Sequence, residues 1–119
     1  MSKRAVAKKG AARGAVKSNQ TRANGDRPII VLFESLGRRK ALRVIWELRS
    51  HRAMTFRDLA AACETNPSVL NTRLREHRAN GFIAHAPATG YRLTDRGNEL
   101  LGYLLPLYKW AERWALDDR

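Results

Sequence analysis

A chain of 119 residues and 13.5 kDa has room for one modest hydrophobic core, and 44% hydrophobic residues is an ordinary share for a globular domain. A formal net charge of +12 and a sequence pI near 11.1 are not ordinary; such an excess suits a polyanion, and nucleic acid leads the candidates because phosphate contacts release counterions. The chain has no apolar run long enough to span a bilayer, its one cysteine excludes an internal disulfide, and that cysteine with His51, His77 and His85 shows no metal-ligand spacing.

Residues 1–27 carry eight basic side chains and one acid, Asp26, separated by alanine, glycine and serine. Val6 and Val16 are the only sizeable aliphatics there, too few to offset the entropy of ordering, so the segment reads as a disordered basic tail able to track DNA. A processed leader fits the same composition. The remaining residues, 28–119, read as one folded domain.

Pro28 opens that domain, and Ile29, Ile30, Leu32, Phe33 and Leu36 predict a short, mostly buried helix ending at Gly37. From Arg38 to about His51 the spacing of Ala41, Leu42, Ile45, Trp46 and Leu48 predicts an amphipathic helix decorated by arginines. Met54–Phe56 allow no more than a short strand, followed by a compact helix through Leu59, Ala60 and Cys63. Thr65 and Asn66 form a turn. Asn66 is a favourable N-cap and Pro67 a favourable first helical residue, so a further helix runs from there to about Asn80 and stops at Gly81. Phe82–Ala86 and Tyr91–Leu93 read as a hairpin, Thr94 caps a last helix, and Pro106 is expected to bend or break it.

Two short helices around a tight turn, then a hairpin and a long helix, describe a mainly α fold with a small β-hairpin: a winged helix-turn-helix. In the second helix of the pair, Leu70, Leu74 and His77 share the inner face. Ser68, Thr72 and Arg75 lie opposite, and Asn71 and Glu76 lie on the flanks. Asn and Arg can bond adenine and guanine bidentately, and Ser and Thr can bond bases or phosphates, so this face has readout chemistry. Arg73 and Arg78, nearer the edges, suit phosphate, although either can pair with Glu76 instead. His85 and Arg92 supply the wing's candidate contacts. A solvated polar face is the plain alternative for all of them.

The stretch from Pro28 to Trp110 resembles the HxlR-type bacterial winged-helix regulators. The likeness rests on Leu36–Gly37, Phe56 with Leu59, Val69–Leu70 with Arg73–Leu74–Arg75, Gly81–Phe82–Ile83, Tyr91–Arg92–Leu93–Thr94 with Gly97, and Leu100, Leu107 and Trp110. It implies a homodimer on a two-fold operator. The chain departs from that family at Arg27, where many members carry a cysteine. Gly37–Arg38–Arg39–Lys40 replaces Gly-Gly-Lys-Trp, and His77 replaces an aliphatic residue. Thiol sensing by the family route is therefore not expected, and Cys63 reads as a small core residue.

Apolar groups spread around more of the last helix than one packing face needs, so Leu104, Leu107, Tyr108, Trp110 and Trp114 are candidates for a dimer interface. No grouping of nucleophile, base and acid, no phosphate loop and no cofactor motif is recognisable, so an enzyme is not expected. The reading is a cytoplasmic, nucleoid-associated, bacterial DNA-binding regulator. A nonspecific architectural DNA binder and a winged-helix protein-interaction module are the alternatives.

Overall fold

The computed structural model describes residues 27–50 and 52–117; the expected basic tail, apart from Arg27, lies outside them. Five helices and one hairpin follow in the order α1 (Pro28–Leu36), α2 (Ala41–Glu47), α3 (Phe56–Cys63), α4 (Pro67–Ala79), β1 (Ile83–Ala86), β2 (Gly90–Leu93) and α5 (Asp95–Asp117).

The helix-turn-helix is α3 and α4, and side-chain caps fix where each begins. Thr55 Oγ1 accepts from the Asp58 amide at 3.1 Å, and Asn66 Oδ1 accepts from the Val69 amide at 2.8 Å, each satisfying a donor that the helix itself leaves open. Between the two, Glu64 sits in the left-handed region at φ 53 and turns the chain sharply. At the far end of α4 the Phe82 amide bonds the His77 carbonyl at 2.9 Å and the Gly81 amide bonds that of Arg78 at 3.0 Å. This is a Schellman closure, and it needs a residue such as Gly81 that tolerates φ +81.

The wing leaves directly from that closure. Its strands are antiparallel with Ile83 opposite Leu93 and His85 opposite Tyr91. Met54 adds a single rung on the outer side of β2, its amide 2.9 Å from the Tyr91 carbonyl, so the expected strand before α3 is reduced to one bridge. Thr94 ties wing to helix: its hydroxyl accepts from the Gly97 amide at 3.0 Å and donates to the Gly81 carbonyl.

Leu36, Val44, Ile45, Leu48, Leu59, Cys63, Leu70, Leu74, Phe82, Ile83, Leu93, Leu101 and Leu104 form the core, with contributions from every helix and both strands. Each such side chain contributes about 1.5–3 kcal/mol when fully buried. Cys63 belongs to this core, and burial pushes its thiol up to about 11. It is a packing residue, as its spacing implied.

Three expectations are corrected. The first helix is not mostly buried: Ile29, Ile30 and Phe33 are exposed, Phe33 at 60%, only Ser35 and Leu36 are buried, and Leu32 packs half-buried against the core. Apolar density predicted the helix but not what covers it. The next helix starts at Ala41 rather than Arg38, because Lys40 at φ 68 interrupts the right-handed backbone. Pro106 does not break α5, which runs as one helix past it. The bond Pro106 cannot donate would have gone to the carbonyl of Gly102, an exposed residue at which water can substitute.

Candidate nucleic-acid interface

Helix α4 buries Leu70, Leu74 and His77, so the projection read from the sequence is the one the fold adopts. Ser68, Asn71 and Arg75 are exposed, Thr72 half-buried, on the arc facing away from the core. The Thr72 hydroxyl donates to the Ser68 carbonyl at 3.1 Å, which spends its proton on the helix backbone. What Thr72 retains for a base is an oxygen lone pair and a methyl group.

The two arginines placed at the edges part company. Arg73 is only 14% exposed and its Nη1 lies 3.0 Å from Glu76 Oε1, so it takes the intramolecular partner. Arg78 is exposed and joins Arg75 along the side of α4 next to the wing. There Arg75, Arg78 and Ala79 face Ile83, Ala84 and His85 across an open groove of about 440 Å³. The His85 ring is stacked on Tyr91 across the hairpin, centroids 4.2 Å apart and planes 15° from parallel, which holds the imidazole at the groove's wall. Neither arginine has an acidic partner among the described residues. Like charges one helical turn apart repel, and an anion between them relieves the repulsion. Arg92 is exposed and pairs with Ala84 across the hairpin, on the face away from His85, and it is not among the residues that line this groove.

His77 is 1% exposed and links α4 to α2, its Nε2 donating to the Ala41 carbonyl at 2.9 Å. Nδ1 has no partner among the described residues, and the Phe82 ring centroid lies 6.1 Å from that of the imidazole. Burial holds its pKa below the ordinary 6.5, against smaller opposing effects of the Ala41 bond and Glu76. The unfolded chain therefore binds a proton that the folded chain refuses. Stability is complete above about pH 6.5 and falls as the pH drops below it. Thermal unfolding between pH 7 and 5 is expected to show this decline, and His77→Leu to flatten it; an equal slope in the variant assigns the decline to other groups.

The other flank of α4 carries contacts that no local spacing in the sequence signals. Arg38 Nε lies 4.0 Å from Glu76 Oε2, and Asn80 Nδ2 donates to Ser35 Oγ at 3.3 Å. These pairs are 38 and 45 residues apart, beyond any local periodicity.

On the last helix, Leu104 is buried in its own chain, and Tyr108 packs on Trp46 with centroids 4.5 Å apart, its hydroxyl donating to the Leu42 carbonyl at 3.5 Å. Leu107, Trp110 and Trp114 are exposed; the two indoles, at 51% and 55%, stack on each other with centroids 6.1 Å apart.

A capped two-helix unit, a polar outer face on its second helix and a hairpin wing beside it define a winged helix-turn-helix, the architecture of a DNA-binding transcription regulator. The chain belongs to the HxlR-like helix-turn-helix family, whose pattern it matches over residues 35–119. The match begins beyond most of α1 and continues past Trp110 to the C-terminus. The fold is also similar to that of a MarR family transcriptional regulator from Silicibacter pomeroyi, with a TM-score of 0.59 and 23% identity over 89% of this chain and 71% of that one. No curated protein matches the sequence closely enough to count as a relative. Regulators of this family and fold are not enzymes. No helix among the described residues is long and apolar enough to cross a membrane.

Proposed function

We propose that the protein is a sequence-specific transcription regulator that binds double-stranded DNA as a homodimer, with α4 as the recognition helix in the major groove. The observation that carries this reading is the groove between α4 and the wing, where Arg75, Arg78 and His85 converge beside the exposed Ser68 and Asn71 and the half-buried Thr72. Arg78 and His85 hold backbone phosphate there, Arg92 contacts phosphate from the outer face of the wing, and Asn71 and Arg75 read bases.

Dimerisation is supported by α5. Gly97, Leu101, Leu104 and Tyr108 form the stripe turned to its own domain, while Tyr103, Leu107, Trp110 and Trp114 repeat at the same four-three-four spacing and are exposed. At 3.6 residues per turn the two stripes are separated by about 120°. A second apolar stripe of this size on a soluble helix calls for a second partner, and a second copy brings its own. A cytoplasmic place on the bacterial nucleoid, with the basic tail tracking DNA, follows from the same reading.

Selecting bound sequences from a random DNA pool at two salt concentrations tests it. A regulator retains its preferred site when salt weakens nonspecific binding; an architectural binder does not, and a protein-interaction module binds little in either condition. Given that site, Asn71→Ala and Arg75→Ala are each expected to lose about 1–3 kcal/mol of discrimination between it and random DNA. Equal losses on both DNAs would remove α4 from base readout.

A further inference from the structure

The turn between α1 and α2 carries three successive cations, Arg38, Arg39 and Lys40. Three contacts fasten the turn and the residues flanking it to α4 and its C-cap: Ser35 Oγ at the end of α1 to Asn80 Nδ2 at 3.3 Å, the Ala41 carbonyl at the start of α2 to His77 Nε2 at 2.9 Å, and Arg38 Nε to Glu76 Oε2 at 4.0 Å. At about 100° per residue, Glu76 and Asn80 lie on the opposite flank of α4 from Arg75 and Arg78. The turn therefore borders the recognition helix on the side away from the wing.

Its charge is poorly compensated. Glu76 is shared between Arg38 and Arg73, and neither Arg39 nor Lys40 has an acidic partner among the described residues. The backbone there is also held in an uncommon shape. Lys40 occupies the left-handed region at φ 68, pinned by the Ala41 amide on the Arg38 carbonyl at 3.0 Å and the Val44 amide on the Lys40 carbonyl at 3.1 Å. For a residue with a Cβ this conformation is strained.

A helix lying in the major groove, which is about 12 Å wide, has a phosphate wall on each side. The groove of Arg75, Arg78 and His85 meets one wall. We propose that the Arg38–Arg39–Lys40 turn is a second phosphate-binding site, which grips the DNA backbone on the other wall. This rests on the reading of α4 as the recognition helix. Arg38, leaning on Glu76, fixes the turn against α4, and Arg39 and Lys40 reach the phosphates. Two grips of this kind set the tilt and depth of the helix and carry no sequence information.

The test is the salt dependence of DNA binding by the full chain carrying Arg39→Gln and Lys40→Gln. Each lost phosphate contact lowers the slope of log affinity against log salt by roughly 0.9, so the double variant is expected to lose about two units. Between 50 and 200 mM salt this is about a tenfold smaller fall in affinity. Affinity for the preferred site and for random DNA falls together, and the thermal midpoint stays in place. A charge-matched control, Lys109→Gln with Arg113→Gln on α5, separates local contact from overall charge. A double variant whose slope equals the control's overturns the proposal, and so does one that loses discrimination between sites, since the turn would then read bases. If the turn fails while Asn71→Ala and Arg75→Ala still lose discrimination, the recognition-helix reading survives. Wild-type protein that binds no DNA overturns both.

Discussion

Gly90→Ala is expected to destabilise the domain by about 3 kcal/mol or more. Gly90 opens β2 at φ +114, outside the narrow left-handed region that residues with a Cβ can visit. A methyl group there would also run into the Met54 carbonyl and lie 3.0 Å from the Thr55 nitrogen. Both are backbone atoms, so no side chain can swing aside. Relief would require Met54 to leave its bridge to Tyr91, in which the Tyr91 amide donates to Met54 at 2.7 Å. That bridge joins the wing to the segment that caps α3, so the loss spreads into the helix-turn-helix. Urea unfolding is the measurement, with Gly102→Ala as the control. Gly102 is helical with open space where its Cβ would lie, and its replacement is expected to be neutral or to gain about 0.5–1 kcal/mol. A wild-type midpoint for Gly90→Ala would show that Met54 can move away at little cost.

The helix-turn-helix was legible because its signals are local. Asn66 before Pro67, Gly81 after Asn80 and Thr94 before Asp95 each cap a helix end through a bond to a residue three positions away, and the three-and-four spacing of Leu70, Leu74 and His77 fixes the buried side of α4. What failed depended on distant or external partners. Arg73 and Glu76 are three residues apart and their pairing was foreseeable, but Arg38 approaching the same carboxylate from the α1–α2 turn was not. Lys40 ended the extended reading of α2 by taking a conformation that its side chain does not signal. Apolar Ile29, Ile30 and Phe33 suggested burial, yet within a single chain nothing among the described residues covers them. Periodicity reports that a surface is apolar, not which molecule lies against it. The same ambiguity runs through α5, where Leu104 and Tyr108 were grouped with Leu107, Trp110 and Trp114. The fold separates them into a stripe packed at home and a stripe left open.

That separation sharpens the expected effect of shortening α5. Truncation after Lys109 removes Trp110 and Trp114 but leaves Leu101, Leu104 and Tyr108 on the domain, so the monomer core is intact. Because the two indoles are half exposed and stacked on each other within one chain, the loss is expected in association rather than in folding. Large aromatic groups at the centre of an interface commonly cost 2 kcal/mol or more each when removed, so the truncated chain should dissociate at concentrations at least about a thousandfold higher than the intact one. Operator binding should change with it. A two-fold protein reads half-sites about one helical turn apart, and a chain that cannot pair binds each half-site alone, without cooperativity. Sedimentation of both chains across a dilution series measures the first effect, and DNA titration with one and two half-sites measures the second. Far-UV circular dichroism on heating checks that the shortened domain still folds. An intact chain that sediments as a monomer, or a truncated chain that pairs as tightly as the intact one, would remove the exposed stripe of α5 from the dimer.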